Sequence, residues 1–599
     1  MSTKIYISRK LESVVSKYLY NNREEESENP LGKWTATLFY VSHKKCLLII
    51  VLLFTFGCFS PRESRREVIK NETEVKFTTT DSTLQKTYNR AEYLAKENIV
   101  DFDGRKVMIE GAQYTNLWIE TQPMGGSMYA KRNLEIARNN IEVFIDYQRE
   151  DGRFPGVIYN RGGKIDPSYS QFQGFYLARP ALEVYYLIGE DKNFLLKVYH
   201  SLEKFDAYLW KTRDSDHNGC LETWCIYDNG EDGSVRFNGF PKAWSFDYPP
   251  TREIASRLSK EELNSQCKED SYDPSVEMTV PIESMDVMSY SYSCRDVLSL
   301  MSKILNNGKE EYWRSKASEV KSKIKSYLWD EDKMACYDKD KNNETMPILL
   351  HNNLRCMYFG SFDQEMADQF IRVHLLNPKE FWTPMPLPSI AVNDPKFENI
   401  AGNNWSGQPQ GLTYQRSIQA MENYGHYAEL TMIGMKFLAV TENTLKFAQQ
   451  YDPFRAIANP SKDGYGPSLL SALEFISRFY GIHLTQNMIL WSCLDNKNDF
   501  EYLQKWNGNV YRLHTDKDIV SCLINDQELF SFTKGTRIVT DLNGKLIEAI
   551  GIEAQIKTIQ FKNKQVICSL NIEPNSIYCL NKTGKFILYK SVEFSVSGK

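Results

Sequence analysis

The chain has 599 residues, 42% of them hydrophobic and 25% charged; that length exceeds one core and predicts a large domain with an accessory one. A net charge of −5 and a pI near 6.0 argue against a polyanionic partner such as nucleic acid. Aromatic residues reach 13%, with 35 Tyr, 31 Phe and 11 Trp, which suits a large aromatic core or flat faces for sugar rings.

At the N-terminus, residues 1–42 carry no fold signal. His43-Lys44-Lys45 then precede an apolar run from Cys46 to Phe56 and the small Gly57. A basic flank, about eleven apolar residues and a small residue before the cut make an export signal, and the run is short for a bilayer span. Gly57-Cys58 resembles a bacterial lipobox, which implies lipidation at Cys58, membrane attachment through that lipid, and a periplasmic or outer-membrane location in a Gram-negative bacterium. Residues 59–84 read as a polar tether.

From about 85 to 490 the pattern is helical hairpins. Leu134, Ala137, Ile141, Phe144 and Gln148 repeat at helical steps before Asp151-Gly152. Leu195 to Leu209, Trp313 to Leu328 and Leu470 to Phe479 form similar stripes. Long loops rich in Gly, Pro, Asn and Trp separate them, and such loops are where sites are built. From about 500 to 599, short β-type runs alternate with Asn543-Gly544 and Thr583-Gly584 turns. Helices first and strands afterwards predict two layers, with an antiparallel β-sandwich at the C-terminus.

The twelve Cys show no CxxC or Cys/His frame. Cys220 and Cys225 are expected as buried thiols, a loop disulfide being the alternative. Asp214-x-Asp216-x-Asn218-Gly219 starts like a calcium loop, but Cys225 stands at its twelfth position. A capped turn is expected there, with calcium the alternative; no other cofactor is implied.

Cleaving a glycosidic bond needs a protonated acid beside the leaving oxygen and a second group across the ring. When that group activates water, the carboxyls stand roughly 6.5–9.5 Å apart. The loop from Trp224 to Ser234 carries Asp228, Glu231 and Asp232 among aromatics. Crowded like charges raise a carboxyl pKa, which keeps a proton near neutrality; a solvated acidic turn is the competing reading.

Several segments resemble the glycoside hydrolase family 63 clan, in the clan's order. Tyr227-Asp228-Asn229-Gly230-Glu231-Asp232-Gly233-Ser234 is similar to its acid loop, Trp118-Ile119-Glu120-Thr121 to its W-D-T segment, and Ser170-Gln171 to S-Q. Further on, Leu328-Trp329-Asp330 resembles L-W-D, Asn404-Trp405-Ser406-Gly407 resembles Y-W-R-G with Ser406 in place of Arg, and Gln449-Gln450-Tyr451-Asp452-Pro453 resembles E-x-Y-D-P. The resemblance spans roughly 110–485. It implies an (α/α)6 toroid and an inverting, exo-acting hydrolase of α-linked glycosides or oligosaccharides. Asp232 is then the general acid; Glu120, Gln171 and the aromatic residues Trp118, Tyr227, Trp405 and Tyr451, with Asp228, hold the sugar.

One position departs. Gln449 stands where the clan carries its general base, and an amide takes no proton from water at working pH. Glu120 or Glu422 serving as base, Gln449 merely orienting water, and glycan binding without cleavage all remain open; a one-residue shift would bring in Asp452. Glu120 could equally be a buried acid paired with an Arg such as Arg132. A helical-toroid lyase would want a Tyr/His pair in place of two carboxyls, and no His lies in the matching segments.

Overall fold

Side-chain caps set where many of the helices start. The computed structural model describes residues 72–244, 278–564, 567–581 and 584–594, with scattered positions between 257 and 267. Asp81 accepts from the backbone N–H groups of Thr83 and Leu84 to open α1 (Ser82–Glu97), and Asn133 accepts from Ile136 to open α3 (Leu134–Asp146). Asp191 opens α5 (Lys192–Thr212), Ser284 opens α6 (Met285–Leu305) and Asp363 opens α9 (Gln364–Phe370) in the same way. Interleaved are α2 (Gln122–Tyr129), α4 (Ala178–Leu187), α7 (Glu310–Lys323), α8 (Asn352–Phe359), α10 (Gly411–Tyr424), α11 (Tyr427–Thr444) and α12 (Gly466–Tyr480). Gly360 and Gly425, at φ 79° and 80°, close α8 and α10 in the left-handed region that favours glycine.

Burial alternates along the chain. Every residue of α8 and α12 is buried, whereas α1 buries only the stripe Leu84, Thr87, Tyr88, Ala91 and Ala95. A helix buried on all sides belongs inside, and one that buries a single stripe belongs outside. The even-numbered helices accordingly pack side by side as a closed ring, α2–α4–α6–α8–α10–α12 and back to α2, and the odd-numbered ones wrap around it. This is an (α/α)6 toroid of six hairpins. No described helix is long and apolar enough to cross a membrane.

Behind it stand two antiparallel sheets. Their strands are β1 (Glu74–Thr79), β2 (Ile482–Leu484), β3 (Met488–Cys493), β4 (Phe500–Trp506), β5 (Asn509–Asp516), β6 (Ile519–Ile524), β7 (Gln527–Thr533), β8 (Thr536–Asp541), β9 (Leu546–Ile550), β10 (Lys557–Asn563), β11 (Ile567–Ile572), β12 (Ser576–Leu580) and β13 (Phe586–Ser591). One sheet runs β1-β4-β5-β6-β7-β10-β11, the other β2-β3-β8-β9-β12-β13. Trp491 of the second packs edge-on against Phe530 of the first, ring centroids 5.8 Å apart, so the sheets form a sandwich.

Two expected boundaries move. The stretch 59–84, expected as a tether, contains β1, which pairs with β4 from Glu74↔Lys505 to Thr79↔Phe500. The N–H and C=O groups along the edge of β4 need partners, and Phe77 is buried against Tyr88 and Phe500. The sandwich also starts at Ile482, inside the range expected to be helical. The export segment 43–58 and Cys58 lie outside the described residues.

Sandwich and toroid are stitched together. Trp506 donates its indole N–H to the Leu187 carbonyl at 2.9 Å. Asn575 donates to Glu429 at 2.8 Å and accepts from the Ala428 N–H.

Candidate active site

The motifs converge at the N-terminal ends of the inner helices. Glu110 to Thr121 lead into α2, 170–177 into α4, 224–237 and 282–284 into α6, 403–410 into α10 and 449–465 into α12.

In the acid loop, burial and pairing separate three carboxylates of similar sequence context. Asp228 is fully buried and accepts from the N–H groups of Phe172 and Trp224, each at 3.0 Å, with Arg213 at 3.5 Å. It locks the loop and is not exposed to a sugar. Glu231 meets Arg355 and Arg236, both at 2.9 Å, and Asn352 at 2.8 Å. Burial alone would raise its pKa, but these two guanidinium groups hold the carboxyl far below the usual range. Arg236 also binds Asp286 at 2.7 Å and Asp338 at 2.6 Å, so a buried ionic cluster anchors the loop.

Asp232 is different. It is half-buried, forms no ion pair among the described residues, and its Oδ1 has no hydrogen-bond partner. Oδ2 accepts from the Asn403 side-chain amide. Loss of hydration pushes its pKa up to about 6, against the opposing pull of Asn403 and Lys242. Its backbone is fixed by the Trp405 N–H, which donates to the Asp232 carbonyl at 2.9 Å. Ser406, in the place of an expected Arg, accepts from the Val235 N–H at 3.0 Å and donates to the Gly233 carbonyl at 2.7 Å. That residue serves the acid loop.

Gln449 faces the acid through one intermediary. Its Nε2 donates to Asn403 Oδ1 at 2.7 Å, while its Oε1 accepts from Tyr114 at 2.9 Å and Gln113 at 3.1 Å. The ring of Trp118 stands edge-on to Tyr114, centroids 5.5 Å apart.

Glu120 is buried, bound by Arg416 at 3.1 Å and by Gln173 at 3.2 Å; its partner is Arg416, and Arg132 pairs with Glu92 instead. Burial lifts its pKa to about 7 although Arg416 opposes the shift. Gly230 crosses directly over this carboxyl: at φ 69°, a Cβ there would sit 2.6 Å from its oxygens. Gln171 joins through Gln173 at 3.5 Å, and the Tyr227 carbonyl holds the Gln173 N–H at 2.7 Å.

Several expected site residues are engaged in other contacts. Glu422 sits near the C-terminal end of α10, bound by Arg478 at 3.0 Å and Arg537 at 3.1 Å. Eleven residues of helix separate it from Gly411, roughly 16 Å at 1.5 Å per residue. Asp452 is held by Arg455 at 2.9 Å. Tyr451 is buried among Tyr414 and Phe437, and Trp405 is buried beside His351 and under Arg355; both rings pack the core. Asp214 and Asp216 accept from the N–H groups of Gly219 and Asn218 and cap their turn. Cys220 and Cys225 are buried free thiols.

Sequence reasoning missed four residues: Asn403, Gln173, Arg416 and Glu110. Burial first, then the charge of Glu120, pushes the Glu110 carboxyl up to about 8. It lies one residue before Gly111, in a segment no motif covers.

The model of the mannosylglycerate hydrolase MGH1-like glycoside hydrolase domain matches residues 128–464. The chain belongs to this glycoside hydrolase family. The GH63 mannosylglycerate hydrolase of Thermus thermophilus, solved with Tris and D-glycerate, is 17% identical and superposes at a TM-score of 0.52, covering 65% of this chain and 100% of that one. The same enzyme with Tris gives 0.52 at 16% identity, with the same coverage. A sialidase structure gives 0.57 at 14% identity over 78% of this chain and 41% of its own. The six-hairpin toroid is thus that of this glycoside hydrolase family, and a carbohydrate is the class of molecule its members handle.

Proposed function

We propose that this chain hydrolyses an α-linked glycoside or oligosaccharide from its terminal sugar, with inversion, and that Asp232 protonates the departing oxygen. One observation carries the reading: of the three acid-loop carboxyls, Asp232 alone forms no ion pair among the described residues and keeps an oxygen without a hydrogen bond. A raised pKa near 6 leaves a useful fraction protonated in mildly acidic to neutral solution, as a general acid requires.

On the water side, Gln449 orients but takes no proton. Two further carboxyls at this end of the ring, Glu120 and Glu110, have raised pKa values. Glu110, at about 8, carries its proton at neutral pH, which leaves Glu120 to accept one. Glu120, Gln171 and Gln173 supply the polar wall for the sugar, and Trp118 and Tyr227 its half-buried aromatic side. In the same reading the protein is exported by residues 43–58 and held at a membrane by lipid on Cys58.

The amide at 449 favours a second reading, glycan binding without cleavage. A screen of aryl α-glycosides and α-linked disaccharides, mannosylglycerate included, separates the two. Product of inverted configuration from the wild type, reduced at least about a hundredfold in Asp232→Asn, supports hydrolysis. Retention on a glycan column without product supports binding alone, and unchanged turnover in Asp232→Asn removes Asp232 from the role.

A further inference from the structure

The C-terminal ends of the inner helices lie away from Asp232, and there a second cavity of about 740 Å³ opens. Residues of α2, α4, α6, α10 and α12 line one side, and β2, β3, β8 and β9 of the sandwich the other. Roughly 300–1,000 Å³ is the range of small-molecule sites. Leu300 and Lys303, both exposed, stand at its mouth.

Five charged groups of the wall form one connected cluster. Lys131 binds Glu474 at 2.7 Å, and Arg478 binds Glu474 as well as Glu422, the latter at 3.0 Å. Arg537 of β8 binds the same Glu422 at 3.1 Å. Three buried cations therefore share two carboxylates, and one positive charge is left over. Burial lowers the Lys131 pKa to about 8 against the pull of Glu474, and Arg478 adds to the fall. A buried charge without a counter-charge is costly.

The rest of the wall does not supply that counter-charge. Glu183 and Glu548 form no ion pair with the cluster among the described residues. Burial raises both carboxyls, with Ser127, Arg179 and Arg478 opposing the shift at Glu183. Arg179 is matched by Asp296 at 3.3 Å. The negative helix ends are muted by the sandwich: Arg537 and the Leu494 N–H donate to the last carbonyls of α12, Arg478 and Phe479, and Trp506 donates to the Leu187 carbonyl of α4.

A directed donor stands in the same cluster. Arg478 has only donors, so His483 accepts from it through Nε2 at 3.2 Å and carries its proton on Nδ1. That Nδ1 is buried without a hydrogen-bond partner; Glu474, at 3.8 Å, is beyond reach. Met128, Leu182, Tyr186, Tyr358 and Leu484 complete an apolar and aromatic wall.

We propose that this basal cavity binds an organic monoanion, a carboxylate on an apolar or aromatic body, seated at His483 against the Lys131–Arg478–Arg537 cluster. The carboxylate accepts from His483 Nδ1 and balances the surplus cation, while its body packs on the tyrosine, leucine and methionine wall. An ammonium would add to the surplus, and a neutral molecule would leave it standing. The site is separate from the catalytic end. Because its walls come from both layers, an occupant would tie sandwich to toroid.

Calorimetric titration of the full chain at neutral pH with 3-phenylpropanoate, 3-phenylpropanamide and 3-phenylpropan-1-amine tests this. The carboxylate should bind saturably, the amide at least tenfold more weakly, and the amine more weakly still. Lys131→Met, which leaves two cations to two carboxylates, should weaken the carboxylate tenfold or more. His483→Phe, which keeps a ring without the donor, should do the same with an unchanged circular dichroism spectrum, and it decides the matter should Lys131→Met not fold. Asp232→Asn should leave the affinity unchanged, as expected for a site away from the acid. Equal binding of carboxylate and amide, preference for the amine, no saturable binding, full affinity in His483→Phe, or lost affinity in Asp232→Asn overturns the proposal.

Discussion

Asn403 donates its side-chain amide to the carboxyl of Asp232. The same residue accepts from Gln449 at 2.7 Å, so one asparagine joins the proposed acid to the position opposite it. The first bond pulls on the acid's chemistry, since a donor to a carboxylate favours its charged form; the second fixes the asparagine that makes it.

Asn403→Ala therefore removes a contact that lowers the pKa of Asp232. A general acid works while protonated, so activity falls as pH rises through that pKa. The alkaline limb of the kcat/KM profile should move upward from about 6 in the variant. An unmoved limb would dissociate Asn403 from the acid.

Gln449→Glu places a carboxylate among three existing partners, Tyr114, Gln113 and Asn403. Two of these donate to Oε1, whereas Asn403 presents its Oδ1 at 2.7 Å and must turn its amide to receive the second carboxylate oxygen. We expect turnover of an α-glycoside to rise by at least about tenfold, within the range of general-base contributions. Steady-state kinetics with an aryl glycoside checks it, and unaltered kcat would mean that Glu120 already suffices.

Arg355→Met leaves Glu231 and Asp286 buried with one guanidinium fewer. Removing one partner from a buried ionic cluster typically destabilises by about 3–5 kcal/mol. Denaturant unfolding should register a loss of that order, and activity should fall with it because the acid loop hangs from Glu231.

Gly230→Ala meets two obstacles: a φ of 69°, and Glu120 oxygens 2.6 Å from the new Cβ. Left-handed backbone with a side chain carries a strain of roughly 1–3 kcal/mol, and the displaced Glu120 lies in the site. Activity should drop more than the melting temperature suggests; wild-type kinetics would show that the Gly230–Glu120 contact is irrelevant to turnover.

His426 governs a pH window for stability. Burial opposes its charge, but Asp368 at 2.9 Å and Glu429 at 3.2 Å outweigh that and raise its pKa to about 9. A pKa raised on folding gives stability that is complete below the unfolded value near 6.5 and is lost as pH climbs through 9. The wild type should lose more melting temperature between pH 6.5 and 9 than His426→Gln does; parallel curves would remove His426 from this role.

Much of the scaffold was legible in periodicity. Leu134 to Phe144 form α3 and Leu195 to Leu209 lie in α5, because an apolar stripe at helical steps has one way to hide from water. The ordered motifs carried the family resemblance and brought Asp232, Glu120 and Gln449 to one end of the ring. Composition concealed β1: its alternation of Val75 and Phe77 with polar neighbours is too brief to outweigh a Thr- and Lys-rich surrounding, and only pairing with β4 makes it a strand.

The sequence by itself determined the local elements, the helical and β layers, and which residue types were available for acid chemistry, since these follow from neighbours in the chain. Tertiary structure alone decided that Asp228 and Glu231 are locked by guanidinium groups while Asp232 has no ion pair among the described residues, and that Glu422 stands at the far end of α10. A carboxyl's chemistry depends on its hydration and on cations drawn from distant segments, here Arg213, Arg355 and Arg236. Spacing along the chain contains neither quantity.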